Sequence, residues 1–130
     1  MPEHPNVGLV RKGYDAFAKG DMATLRELFN ENVVWHAPGN NPLSGEHRGR
    51  DAVFAMFGRL AELSGGTLRI DLHDVLANDE HAVALIRATA SRQGRQQDQL
   101  ETAVYHISNG KVTEAWSFEY DQRASDEFWS

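Results

Sequence analysis

The chain has 130 residues, no cysteine, and 19 acidic against 13 basic side chains, for a formal charge of −6. That length suits one domain spanning residues 1–130, and the absent cysteines exclude disulfides, thiolate catalysis and cysteine-ligated zinc. The acid excess speaks against a nucleic-acid partner, since phosphate binding needs Lys and Arg to release counterions, and no apolar run approaches the roughly 20 residues of a membrane span.

The N-terminus, Met1 to Pro5, is neither basic nor apolar, so no signal peptide is expected and the protein reads as cytoplasmic, without a membrane partner. Val7, Val10, Tyr14 and Phe17 then recur at helical spacing, and Gly20 is a left-handed stop. Asp21 is placed to cap a short second helix with Met22, Leu25, Leu28 and Phe29 on its apolar face. Val33 to Ala37 is a short strand stopped by Pro38-Gly39. Asn40 to Gly49 is polar loop with a small strand around His47, and the overlapping stretch Pro38–Pro42 reads as a mobile mouth loop. A third helix starts near Asp51, presents Val53, Phe57, Leu60 and Leu63 on one side, and closes at Ser64-Gly65-Gly66.

The second half is β in pattern. Thr67 to Ala77 alternates, with Leu68, Ile70 and Leu72 against Arg69, Asp71 and His73. His81 to Arg92 is a strand, Gln93-Gly94-Arg95 a hairpin signal, Gln99 to Ser108 the next strand. Asn109-Gly110 is a strong two-residue turn before the last strand, Lys111 to Tyr120. Strands joined so tightly must be antiparallel. Helices first and a meander second make an α+β arrangement, a curved sheet with helices on one face. The tail carries Phe128 and Trp129 and is too apolar to stay in water.

In their order, the segments Tyr14–Asp21, Leu28–Gly39, Gly45–Gly49, Asp79–Ala84 and Asn109–Trp116 resemble the SnoaL-like branch of the nuclear transport factor 2-like superfamily. The resemblance covers nearly the whole chain. It implies a cone-shaped, mostly antiparallel sheet wrapped over three helices from the N-terminal half, with an internal apolar cavity. Members include ketosteroid isomerase, limonene-type epoxide hydrolase and polyketide cyclases, so the fold does not choose the function. The isomerase's catalytic positions fall on Gly13, Ala37 and near Ala103 here, and none carries the required group. The epoxide hydrolases' Arg-x-Asp strand reads Arg87-Ala88-Thr89, which lacks the acid.

Four residues are candidates for chemistry: Arg87, Glu101, Asp121 and His36. By resemblance, Val83, Leu85, Arg87 and Thr89 share the cavity-facing parity; the alternative is an arginine lying along a sheet edge or a dimer contact. A buried guanidinium stays charged and needs an acid, either Glu101, on the parity of Ala103 and Tyr105, or Asp121, five residues after Trp116. Asp121 otherwise reads as a solvated strand end. Trp35 and His36 alternate, so one faces inward unless a bulge before Pro38 turns His36 in. Trp35, Phe54, Phe57, Tyr105 and Trp116 supply a ligand-binding wall. In the last strand, bulk puts Trp116, Phe118 and Tyr120 inside, whereas the resemblance puts Ser117, Glu119 and Asp121 there. No HxH or HExxH spacing occurs, so no metal is expected, nor any cofactor.

The expected function is binding of a small apolar or aromatic molecule, with cofactor-independent acid/base chemistry of isomerase, cyclase or hydrolase type on it. The alternatives are a non-catalytic carrier or sensor using the same cavity, and a protein-interaction module. Apolar residues on both parities of the last strands point to a homodimer through the outer face of the sheet.

Overall fold

The computed structural model describes residues 3–130. Helix α1 (Pro5–Lys19) starts from His4, whose ring accepts the Asn6 N–H, and ends at Gly20, whose left-handed backbone returns its N–H to Ala16 and Phe17. Asp21 caps α2 (Met22–Leu28) through the Thr24 N–H. Strand β1 (Phe29–Ala37) and the short β2 (Gly45–Arg48) follow, then α3 (Arg50–Leu63). The meander is β3 (Arg69–Ala77), β4 (His81–Arg92), β5 (Arg95–Ser108) and β6 (Lys111–Glu119). A fourth helix, α4 (Gln122–Trp129), closes the chain. The pattern of the sequence suggests no such helix, although its apolar pair Phe128 and Trp129 is buried as the tail composition implies.

The six strands lie in the order β2-β1-β6-β5-β4-β3, an open sheet. All pairs are antiparallel except β1 with β6. Helices α1, α2 and α3 cover its inner face, where Val10, Leu25, Val33, Val53, Ala84 and Ala115 are almost completely buried. This is the α+β cone that the resemblance implies. No described helix is long and apolar enough to cross a membrane.

Two turns set the register of the meander. Gln93 and Gly94 both have positive φ, so Arg92 pairs with Arg95 and each step back along β4 matches a step forward along β5. Ile86 therefore faces Glu101, and Arg87 faces Leu100. Asn109 and Gly110 make the same kind of turn, pairing Ser108 with Lys111 and Ile107 with Val112. The ladder then slips by one: His106 pairs with Glu114, leaving Thr113 as the extra residue of a bulge. Its hydroxyl donates to the His106 carbonyl at 3.3 Å.

That bulge decides which face of β6 points inward. A regular ladder would set Glu101 against Phe118 and Tyr105 against Glu114. With the extra residue, Tyr105 faces Ala115, Ala103 faces Ser117 and Glu101 faces Glu119. Ala115, Ser117 and Glu119 thus join the inner face, and Trp116 and Phe118 point outward. The bulky rings would not fit inside, because Trp35 and Tyr105 already occupy that space, 5.8 Å apart centre to centre.

Candidate functional site

Between the helices and the sheet lies a cavity of about 150 Å³. Its roof is Leu9, Val10, Tyr14 and Phe17 of α1 with Met56, Phe57 and Leu60 of α3. Its floor is the inner face of the sheet, from Leu68 and Ile70 through Ile86 and Ala88 to Trp35. Small side chains at Ala88, Ala103 and Ser117 leave the space open where larger ones would fill it.

Three rows of β5 and β6 carry the polar groups. The first is Glu101 beside Glu119, the second Ala103 beside Ser117, the third Tyr105 beside Ala115. Ser117 accepts the Trp35 indole N–H at 2.9 Å, which fixes that ring against the wall. Tyr105 and Tyr14 meet hydroxyl to hydroxyl at 2.5 Å. One donates to the other, so one hydroxyl hydrogen of the pair stays free to donate elsewhere. Burial pushes both phenols well above their ordinary value, and the nearby Glu101 adds to the shift. Four residues of strand, about 13 Å of backbone, separate the carboxyl row from the phenol row.

Glu101 is the most perturbed carboxyl. Burial first, then its contact with Glu119, pushes it up to about 10. Burial also pushes Glu119 up, against the Glu101 and Ser125 side chains beside it. Oε2 of Glu119 is buried without a hydrogen-bond partner in the protein. Two buried carboxylates cannot both be ionised side by side, whereas a carboxyl and a carboxylate share a proton well. A proton carried by the pair can supply the donor that Oε2 lacks.

The last wall is the 38–43 loop against α4. Oδ1 of Asp126 accepts from the Asn40 N–H at 3.0 Å, the Asn41 amide at 2.8 Å and the Gln122 amide at 2.9 Å. The loop expected to be mobile is therefore tied to the C-terminal helix, which brings Ser125 and Trp129 to the cavity.

The placement of the candidate residues follows from these registers. Glu101 lines the cavity, as do Trp35, Phe57 and Tyr105. Arg87 does not. Paired strands point opposed residues to the same side, so Arg87 shares the outer face with Leu100, away from Glu101. There its guanidinium forms a fork with Asp98, at 2.8 Å through Nε and 2.5 Å through Nη2, on an exposed surface. The inward set of β4 is Ala82, Ala84, Ile86, Ala88 and Ala90, so the parity inferred for Val83, Leu85, Arg87 and Thr89 is corrected.

Asp121 is not in the cavity either. It caps α4, accepting the Ala124 N–H at 3.1 Å, and the buried Gln99 amide holds its backbone. No bulge turns His36 inward. It pairs with Glu46 on one side and Trp116 on the other, and its Nε2 meets Glu114 at 2.6 Å on the outer face. Trp116 also lies outside, stacked on His36 at 5.0 Å. Phe54 is buried below the cavity wall against Phe29 rather than lining the space. Glu119, Ser117 and Tyr14 join the polar lining, with the amides of Asn41, Gln97 and Gln122 and the hydroxyls of Thr102 and Ser125. Ser117 and Glu119 face inward as the resemblance implies, against the reading from bulk, and the Thr113 bulge is the cause; Tyr14 lies on the apolar helical face that also carries Val10 and Phe17.

Residues 10–115 match the family model described as a SnoaL-like domain. The chain belongs to this family. An uncharacterized protein of Mycobacterium tuberculosis is 37% identical over the full length of both chains. Bal32a, from a soil-derived mobile gene cassette, is 44% identical, with a TM-score of 0.93 over 96% of each chain. A putative SnoaL-like polyketide cyclase from Jannaschia sp. CCS1 shares the fold at 19% identity, with a TM-score of 0.83 over 100% of this chain and 97% of that one.

Proposed function

We propose that the protein binds a small apolar or aromatic molecule in this cavity and moves a proton on it, with Glu101 and Glu119 as the acid/base pair. The observation that carries this reading is the pairing of two carboxyls on adjacent strands inside an apolar cavity, one of them with an unpartnered oxygen. A carboxyl held neutral at neutral pH can donate a proton, and its ionised neighbour can accept one. The carboxyl that keeps its proton holds the carbonyl or enolate oxygen while its neighbour takes the proton from carbon, and the Tyr14–Tyr105 pair offers a hydroxyl to a second polar group of the guest. Membership in the SnoaL-like family, and the fold shared with a putative polyketide cyclase, agree with enolisation or cyclisation chemistry. No step in this scheme calls for a cofactor.

Deuterium uptake tests the reading. In D2O, the acetyl methyl protons of 4-methylacetophenone, alpha to the carbonyl, should exchange faster with the wild-type protein than with buffer. The excess should vanish in Glu101→Gln and Glu119→Gln. Binding without excess exchange in the wild type would favour the carrier alternative.

We also propose a homodimer formed through the outer face of β4, β5 and β6. Val83, Val104 and Trp116 form one row of that face, Leu85, Thr102 and Phe118 the next. Leu100, Phe118 and Tyr120 are 61%, 52% and 85% exposed, an apolar band that a second copy would cover. Light scattering at micromolar concentration should give twice the monomer mass, and a monomer would overturn this.

A further inference from the structure

The cavity is unequally supplied with charge. Among its described lining residues are two carboxyls, Glu101 and Glu119, and no Lys, Arg or His. At the α4 end, Arg92 and Arg95 are engaged elsewhere, donating to backbone carbonyls of its last turn. Arg87 is committed to Asp98 on the other side of the sheet. An anion entering the cavity would lose its water and find no cation in exchange. It would also meet the Glu101–Glu119 pair, with Asp126 beyond it.

The groups that are free to meet a ligand are of a different kind. They include one hydroxyl of the Tyr14–Tyr105 pair and the Glu101–Glu119 carboxyl pair, whose proton can turn from Oε2 of Glu119 to a guest. Each makes a hydrogen bond with a neutral oxygen or hydroxyl. The rest of the wall is mostly aromatic and aliphatic, with the uncharged polar side chains of Asn41, Gln97, Thr102, Gln122 and Ser125 among it. Its volume, about 150 Å³, is that of a cavity that admits a benzene-sized guest.

We propose that the site selects by charge and size: it takes an uncharged, single-ring molecule bearing a hydroxyl or carbonyl oxygen and rejects the anion of the same shape. The inference rests on the cavity being a ligand site, and it adds the class of molecule that fits. It carries a proton linkage. A carboxylic acid of matching shape can enter only in its neutral form, so it must bring a proton with it. The titratable groups facing a guest are Glu101 and Glu119 from β5 and β6, and Tyr14 and Tyr105 from α1 and β5. Carboxyls and phenols are neutral or negative at every pH, so none of the four offers a positive charge to the anion.

Calorimetric titration of the full chain with 4-methylphenol and 4-methylbenzoate tests this. At pH 7 the phenol should bind at least tenfold more tightly. As pH falls from 7 to 5, the affinity of 4-methylbenzoate should rise about tenfold per unit, with uptake of one proton measured in buffers of different ionisation enthalpy. Equal affinity of the two at pH 7, or benzoate binding without proton uptake, would overturn the charge selection while leaving a ligand cavity in place. If neither molecule binds, the selection and the ligand-site reading fall together. Glu119→Gln, which is isosteric, should narrow the difference between phenol and benzoate; an unchanged ratio would remove Glu119 from its cause.

Discussion

The carboxyl pair makes stability depend on pH in a direction opposite to that of an ordinary salt-bridged acid. Glu101 has an ordinary value of 4.5 and is pushed up to about 10 in the folded protein. The native state therefore keeps a proton that the unfolded chain has lost throughout the interval between them. The associated stability is fully present below about 4.5 and is lost progressively as pH rises, until the folded group itself ionises. One retained proton corresponds to about 1.4 kcal/mol per pH unit, so raising pH from 6 to 8 should cost roughly 3 kcal/mol. Urea denaturation at fixed pH values from 5 to 9 measures this. Glu101→Gln preserves shape and cannot titrate, so the difference between the wild-type and variant curves isolates the Glu101 proton. The wild type should lose stability relative to the variant as pH rises. Parallel curves would mean that Glu101 ionises in the fold as it does in water, and the shared-proton account of the cavity would fail.

Three further perturbations follow from the packing. Ending the chain after Ser125 removes Phe128 and Trp129, which are 3% and 4% exposed, and should lower stability by roughly 1.5–3 kcal/mol for each ring; an unchanged melting temperature would mean the tail contributes no packing. Gly39 has a φ of +86°, and a Cβ there would lie within 2.2 Å of both Gln122 Nε2 and Asp126 Oδ1. Gly39→Ala should therefore destabilise by more than about 1 kcal/mol and speed hydrogen exchange at the Asn40 amide, and normal protection at Asn40 would show that the loop adapts. Arg87→Met breaks only an exposed ion pair, so melting temperature and 4-methylphenol affinity should both stay within error; a loss of binding would put Arg87 back among the site residues.

Much of the architecture was legible in the chain itself. Helical spacing with stops at Gly20 and Gly65-Gly66, alternation from Leu68 to Leu72, and the Asn109-Gly110 turn are local signals, and local backbone preferences suffice to read them. Even the exclusion of Arg87 lay within reach. A two-residue turn at Gln93-Gly94 pairs Ile86 with Glu101, so an inward Glu101 requires an outward Arg87. The parity that the resemblance implies for Arg87 conflicts with that count. The capping role of Asp121 was also written locally, three residues before the Ala124 amide it binds, but the short helix it starts is stabilised by burying Phe128 and Trp129 against the rest of the protein. Such a helix is marginal by itself in water.

Bulk and resemblance disagree on which face of the last strand turns inward, and tertiary structure decides for Ser117 and Glu119. The turn at Asn109-Gly110, read alone, sets Phe118 against Glu101 and sends Glu119 to the surface. The slip at Thr113 reverses both. A bulge leaves no distinctive residue in this stretch, because Lys111 to Tyr120 holds no glycine to mark it. Its position is chosen by what fits on each side. Ala115 and Ser117 can lie beneath Trp35 and Tyr105, where Trp116 and Phe118 cannot, and β1 must pair with the same strand in parallel. Trp35 and β1 come from about 80 residues earlier in the chain. Local sequence determined that a strand would form there; the volume left by distant side chains determined which of its faces would carry the chemistry.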